Sequence, residues 1–162
     1  MSYAIIVGID PGLAGAVAWL RRSGDGVELL HVEDMPLNQS RGVSGPLLAS
    51  ALNDRRPTLV FVESVHSMPK QGVKSTFTFG VGFGKVLGVL EAAGWPHVLV
   101  QPQAWKKTQL AGTKKEKADA VVVACALWPS QARFFQTKNK ARNAARAEAA
   151  LIARHGIGTA AW

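Results

Sequence analysis

The apolar positions of this chain come first in short continuous runs and only later at helical spacing. "YAIIVGID" is an unbroken apolar run closed by an acid, the pattern of a buried strand. Pro11-Gly12 marks a turn, and the small apolar residues of "AGAVAWL" predict a second strand folded back on the first. "SGDG" is another turn and "VELLHVEDM" a third strand, so the chain opens as an antiparallel meander. "GPLLASALND", residues 45–54, has the spacing of a short helix. "TLVFVES" is a β-branched strand that again ends at an acid, Glu63.

The pattern then loosens. "VHSMPKQGVKSTFTFGVGFG" reads as a glycine- and aromatic-rich loop leading into a helix through "GKVLGVLEAAG". "HVLVQP" is a fifth strand and "PQAWKKTQL" a short helix opened by proline. "TKKEKADAVVVACALW" is a longer helix with Thr113 and Glu116 at capping-box spacing. "WPSQARFFQTKNKAR" reads as an irregular basic connection. "RNAARAEAALIARHG", residues 142–156, is an alanine-rich closing helix, with 157–162 as a tail. The order βββαβαβα is that of one layered α/β domain over residues 1–156.

Composition adds one strong constraint. The chain has 162 residues, 48% of them hydrophobic, which suits one domain with a full core. Lys and Arg number 19 against 11 Asp and Glu, a net charge of +8. Such an excess favours a polyanionic partner, most simply nucleic acid. The lone cysteine, Cys125, excludes a disulfide framework within the chain and reads as inert core. No signal-peptide pattern opens the chain and no apolar run spans a bilayer, so the expectation is a cytoplasmic protein, bacterial or phage-encoded, without a membrane partner.

The candidate chemistry lies in three acids. Asp10 and Glu63 each end a strand, and Glu148 is the single carboxylate of the closing helix. If the two strands are neighbours and the helix crosses them, three carboxylates converge. Hard divalent cations such as Mg²⁺ or Mn²⁺ prefer such oxygen ligands. Taken singly, each acid is better explained as a turn residue, a strand-end charge or a helical surface charge.

As an ordered set the motifs are more specific. "GIDPGLAGAVAWL" and "LVFVES" resemble the first two active-site strands of RuvC-type Holliday junction resolvases, members of the RNase H and integrase superfamily. "QPQAWKK" and "KKEKADAV" resemble the family segment that carries two functional lysines, at Lys106 and Lys117, and "ARAEAALIARHG" resembles its last helix. The loop after Glu63 is most similar to the chloroplast and phage-like branch. The resemblance implies an RNase H-like fold with a five-stranded mixed sheet flanked by helices. It also implies a homodimer that makes paired nicks in a four-way DNA junction with Mg²⁺ or Mn²⁺, two ions per site. Asp10, Glu63 and Glu148 become metal ligands, and Lys106 and Lys117 meet phosphates. The family's fourth acid falls at position 144, which here is Ala144, so this chain is expected to be impaired in catalysis.

Around that frame, Lys70, Lys74, Arg142 and Arg146 are candidate phosphate contacts, and His66 and Phe77 candidates to touch or stack on DNA. A solvated loop and core phenylalanines explain the same residues without DNA. Trp105 is expected to pack beneath the Lys106 turn. The helix around "GKVLGVLEAAG" is the candidate dimer interface, or else simply packs on the sheet. The alternatives in function are a junction-binding protein of the same fold that does not cut, and another RNase H-like nuclease acting on RNA. A sugar-kinase or actin-like ATPase also begins with an Asp-Gly hairpin but needs two such domains and a longer chain.

Overall fold

The computed structural model describes residues 3–24, 26–65 and 72–160. The meander forms as expected: β1 (Ala4–Asp10), β2 (Ala16–Ser23) and β3 (Gly26–Asp34) pair antiparallel in sequence order. Helix α1 (Gly45–Arg55) carries the chain over to β4 (Leu59–Glu63), which pairs parallel to β1. Helix α2 (Val73–Ala92) leads to the short edge strand β5 (His97–Val100), parallel to β4. The mixed five-stranded sheet has the order β3-β2-β1-β4-β5. Helices α3 (Pro102–Gln109), α4 (Lys117–Leu127) and α5 (Lys140–Thr159) complete the chain, with a 3₁₀ segment at Pro129–Phe135 between the last two.

The central strands are covered on both faces, which is why they read as continuous apolar runs. Side chains alternate across the sheet. Ile5, Val7 and Ile9 pack with Val17, Trp19, Val60 and Val62 beneath α1 and α2. Ile6 packs with Ala18, Leu20 and Phe61 beneath α3, α4 and α5. Along β1, Gly8 and Asp10 share the parity of Ile6, and along β4, Glu63 shares that of Phe61. Both acids therefore belong to the face that α5 covers.

Glycine sets how closely α5 lies on that face. A Cβ at Gly8 would stand 2.1 Å from the Ala149 carbonyl oxygen and 2.6 Å from the Ala153 nitrogen. The helix backbone thus rests directly on β1, and alanines 149 and 153, one turn apart, straddle the contact. Glu148 is adjacent in sequence to that contact. The alanine richness of α5 is a packing requirement of the position from which its one acid acts.

Three local expectations shift. The segment from Val73 is helical, not a loop, so α2 begins eleven residues before Gly84. Its glycines cost helix propensity, but Gly82, Val86 and Leu90 give it a buried stripe, and tertiary packing prevails. The capping box of α4 lies one turn later than Thr113 and Glu116: Glu116 is the N-cap, paired reciprocally with Asp119. Lys115 has φ 62°, which breaks the chain before Glu116, and Thr113 instead closes the preceding turn through Leu110 and Lys115. Finally, α5 starts at Lys140 behind an Asn139 cap and continues to Thr159, through the first residues assigned to a tail.

Candidate active site

Asp10 ends β1 at a tight turn. Gly15 N–H donates to the Gly12 carbonyl at 2.9 Å, and a Cβ on Gly15 would lie 2.1 Å from the Asp10 carbonyl oxygen, so only glycine fits. Ile9 stands beside Val62 in the parallel pairing, which sets Asp10 and Glu63 side by side at the ends of adjacent strands. Glu148 reaches the same sheet end from α5. The three acids sense one another. Burial pushes the Asp10 carboxyl up to about 7, and the negative charges of Glu63 and Glu148 add to that rise. The Gly12 backbone and Lys117 oppose it. Burial also raises Glu148, against the pull of Lys106 and Lys117 and with the push of Glu63.

Two lysines and a tryptophan frame these acids. Trp105 is fully buried, and its Nε1–H donates to Glu63 Oε1 at 2.8 Å. The sequence placed Trp105 under the lysine turn but gave no sign of this bond, because the partners lie on different elements. Lys106 lies over the Trp105 ring, 5.3 Å from its centroid, with Nζ 4.0 Å from Glu148 Oε1. Lys117, the first residue of α4, acts electrostatically on both Asp10 and Glu148.

Ala144 is buried one helical turn before Glu148, and it lines a groove together with Lys117. A methyl group stands there, with no carboxylate. Asn143 does not substitute for one. Its Oδ1 accepts from the Thr137 backbone at 3.0 Å and from the Thr137 hydroxyl at 2.6 Å, and its Nδ2 donates to the Thr137 carbonyl at 2.9 Å.

The remaining predicted contacts divide. Arg146 donates through Nε and Nη2 to the two oxygens of Asp34 at 2.7 and 3.0 Å, and through Nη1 to the Phe134 carbonyl at 3.1 Å. Arg142 pairs with the same Asp34. Arg146 therefore ties α5 to β3, with its guanidinium taken up by Asp34 and Phe134. Lys74 and Phe77 are exposed on the first turns of α2, with Phe77 73% accessible. Lys74 lines a shallow cleft with Leu13 of the β1–β2 turn and Phe79, which is half-buried and belongs to neither core. His66 and Lys70 lie outside the described residues.

Chemically, the acids offer hard oxygen donors whose crowding calls for a counter-cation, which suits Mg²⁺ or Mn²⁺. Among the described residues, however, no three His, Cys, Asp or Glu side chains close into a ready-made metal cage. Asp10, Glu63 and Glu148 crowd one another electrostatically without sharing a preformed coordination sphere. The donor set fits the ion class, and its convergence would have to tighten around the ion.

No protein-family model matches the chain, and no curated protein matches it by sequence. Solved structures do match. Thermus thermophilus RuvC superimposes with a TM-score of 0.70 at 20% identity, covering 95% of each chain. The fowlpox virus resolvase in its Holliday junction complex gives 0.61 at 16% identity, over 96% of this chain and 99% of that one. The yeast mitochondrial Holliday junction resolvase gives 0.63 at 15%, over 93% and 76%. The α/β domain described above therefore has, over nearly its whole length, the fold of RuvC and of these viral and mitochondrial resolvases.

Proposed function

We propose that this protein is a Holliday junction resolvase, a metal-dependent endonuclease that makes paired nicks in four-way DNA junctions, weakened here by Ala144. The observation that carries the reading is the gathering of Asp10, Glu63 and Glu148, from β1, β4 and α5, at one end of the sheet with Lys106 and Lys117 beside them. Asp10, Glu63 and Glu148 would hold the cation. When bound, a divalent ion of the Mg²⁺ or Mn²⁺ class supplies Lewis-acid activation of water and neutralises charge on the phosphodiester. Trp105 holds Glu63 in place. Lys106 and Lys117 offset the acids and offer ammonium groups to the scissile and neighbouring phosphates, so that an anionic cluster accepts an anionic backbone. The neighbours of the same fold include T. thermophilus RuvC bound to a Holliday junction substrate, which supports DNA of that form as the ligand.

Paired nicks in opposing strands require two sites related by a two-fold axis, hence a homodimer. Its interface is the side of α2 away from the sheet, where Gly80, Gly84 and Gly88 recur every fourth residue and a Cβ at each would meet nothing.

Ala144 favours a second reading, a protein that binds junctions without cutting them. Cleavage of a four-way junction, with Mg²⁺ and separately with Mn²⁺, by this chain and by Ala144→Asp separates the two. The expected result is tight binding by both and much faster cleavage by the aspartate variant, on the order of a hundredfold for one catalytic group restored. Equal cleavage by both would remove position 144 from the site. Binding by both without cleavage by either would establish the second reading.

A further inference from the structure

Helices α4 and α5 begin at the same end of the molecule, and their first turns form the two walls of a groove of about 540 Å³. The lining is mostly apolar, Ala118, Val121 and Val122 from α4 and Ala144 from α5, and the amide of Asn143 beside them is taken up by Thr137. Val122 is 67% accessible, an unusual exposure for a valine in mid-helix. The mouth is cationic. Lys117 and Lys140 are the first residues of their helices and line the groove from opposite sides. Lys114, Lys115 and Lys138 are exposed in the segments just before them. Among the described residues, Lys140 and these three flanking lysines form no ion pair. The acids at this end, Glu116 and Asp119, are occupied in the capping box of α4.

An apolar slot between two ammonium groups suits a ligand with a flat apolar body and an anionic group attached to it. A volume of about 540 Å³ lies within the roughly 300–1,000 Å³ of small-ligand sites. Lys117 links the groove to the acids, because it lines the groove and its charge also reaches Asp10 and Glu148. Because the groove and the acids share Lys117, a strand held by a phosphate at the acids would bring its next nucleotide to the groove mouth.

We propose that the α4–α5 groove is a nucleotide subsite. It takes one unstacked nucleotide of the strand that crosses the acid cluster, with the base against Val121, Val122 and Ala144 and a phosphate between Lys117 and Lys140. The proposal deepens the junction-resolvase reading and rests on it for the strand's path. Bases at a strand exchange point are cheaper to unstack than those inside a duplex, so the subsite favours branched over linear DNA.

The test uses the full chain in two ways. Backbone-amide NMR is recorded during titration with thymidine 5′-monophosphate and separately with inorganic phosphate. Both should move Lys117 and Lys140, and only the nucleotide should move Ala118, Val121 and Val122. Identical shift patterns, or none, would overturn the subsite. In parallel, affinity for a labelled four-way junction is measured for Val122→Asp and Lys140→Gln. Val122→Asp, which sets a carboxylate where the base would lie, should bind about tenfold more weakly. Lys140→Gln should lower the slope of log affinity against log salt by about one. If both variants fold and bind like the wild type, the groove is not a DNA subsite. If Val122→Asp fails to fold, Lys140→Gln and the titrations decide. If the wild type binds no junction while the nucleotide still moves the groove residues, the subsite stands and the resolvase reading falls.

Discussion

Asp10 is buried beside two other acids. Burial first, and Glu63 and Glu148 after it, push its carboxyl up to about 7, so it keeps its proton well above the ordinary carboxylate range. The sign of the linkage follows. The folded value lies above the ordinary 3.8, so the contribution to stability is full below that ordinary value and is lost as pH rises through about 7. A cation that takes Asp10 as ligand must displace this proton, so affinity rises with pH over the same window. Calorimetric titration with Mn²⁺ in buffers of different ionisation enthalpy should detect release of about one proton near pH 6 and little near pH 8. A constant, near-zero release across that range would mean that the ion does not bind through Asp10. None of this electrostatic state was legible in "GIDPG": the motif marks an acid at a strand end, whereas its coupling depends on residues more than fifty and more than a hundred positions away.

Between elements, two contacts place α5 and thereby Glu148. One is the seating of the helix backbone on Gly8. The Ala149 and Ala153 backbones cannot retreat without lifting the helix, so Gly8→Ala forces main chain against main chain and should destabilise by about 1–3 kcal/mol or more. Urea unfolding measures that loss, and an unchanged midpoint would show that α5 is free to shift. The other is the Arg146–Asp34 pair between α5 and β3. Burial raises Asp34, but the hydrogen bonds from Arg146 and Arg142 and their charges outweigh it and hold the carboxyl below its ordinary range. Its stabilisation is therefore complete above about pH 4 and disappears as pH falls through the lowered value. Arg146→Met should cost roughly 1–3 kcal/mol in urea unfolding at neutral pH and leave the salt dependence of junction binding unchanged. A shallower salt slope with unchanged stability would return Arg146 to the DNA-contact role that its basic neighbourhood suggests. Sequence could not have settled that role, since the partners are 112 positions apart. Position alone made Arg146 look like a phosphate contact.

Across the whole molecule, the legible and illegible parts follow from burial. Strands β1 and β4 are covered on both faces, so they announce themselves as apolar runs, and their terminal acids stand out against that background. Helix α2 is covered on one side only. Its first half mixes Phe77 and Phe79 with Gly80, Gly82 and Gly84, and of these only Gly82 is buried, so that half reads as a loop. The same one-sided burial bears on assembly. Gly82 faces Val43, with a Cβ expected 3.2 Å from a valine methyl, so packing within the monomer explains it. Gly80, Gly84 and Gly88 face open space, where each glycine costs the helix roughly 0.5–1 kcal/mol against an ordinary residue. A monomer gains nothing from that cost, whereas a second copy crossing at α2 gains close backbone approach. Gly84→Lys therefore separates stability from assembly. In the dimer reading it should raise the thermal midpoint of the isolated protomer, because lysine is the better helix former, and yet shift sedimentation from dimer to monomer. Cleavage should then change from paired nicks to single ones, since each monomer brings only one set of Asp10, Glu63 and Glu148 to the junction. If the variant gains thermal stability while its sedimentation and paired nicking stay as in the wild type, the open glycine face is not where the two copies meet.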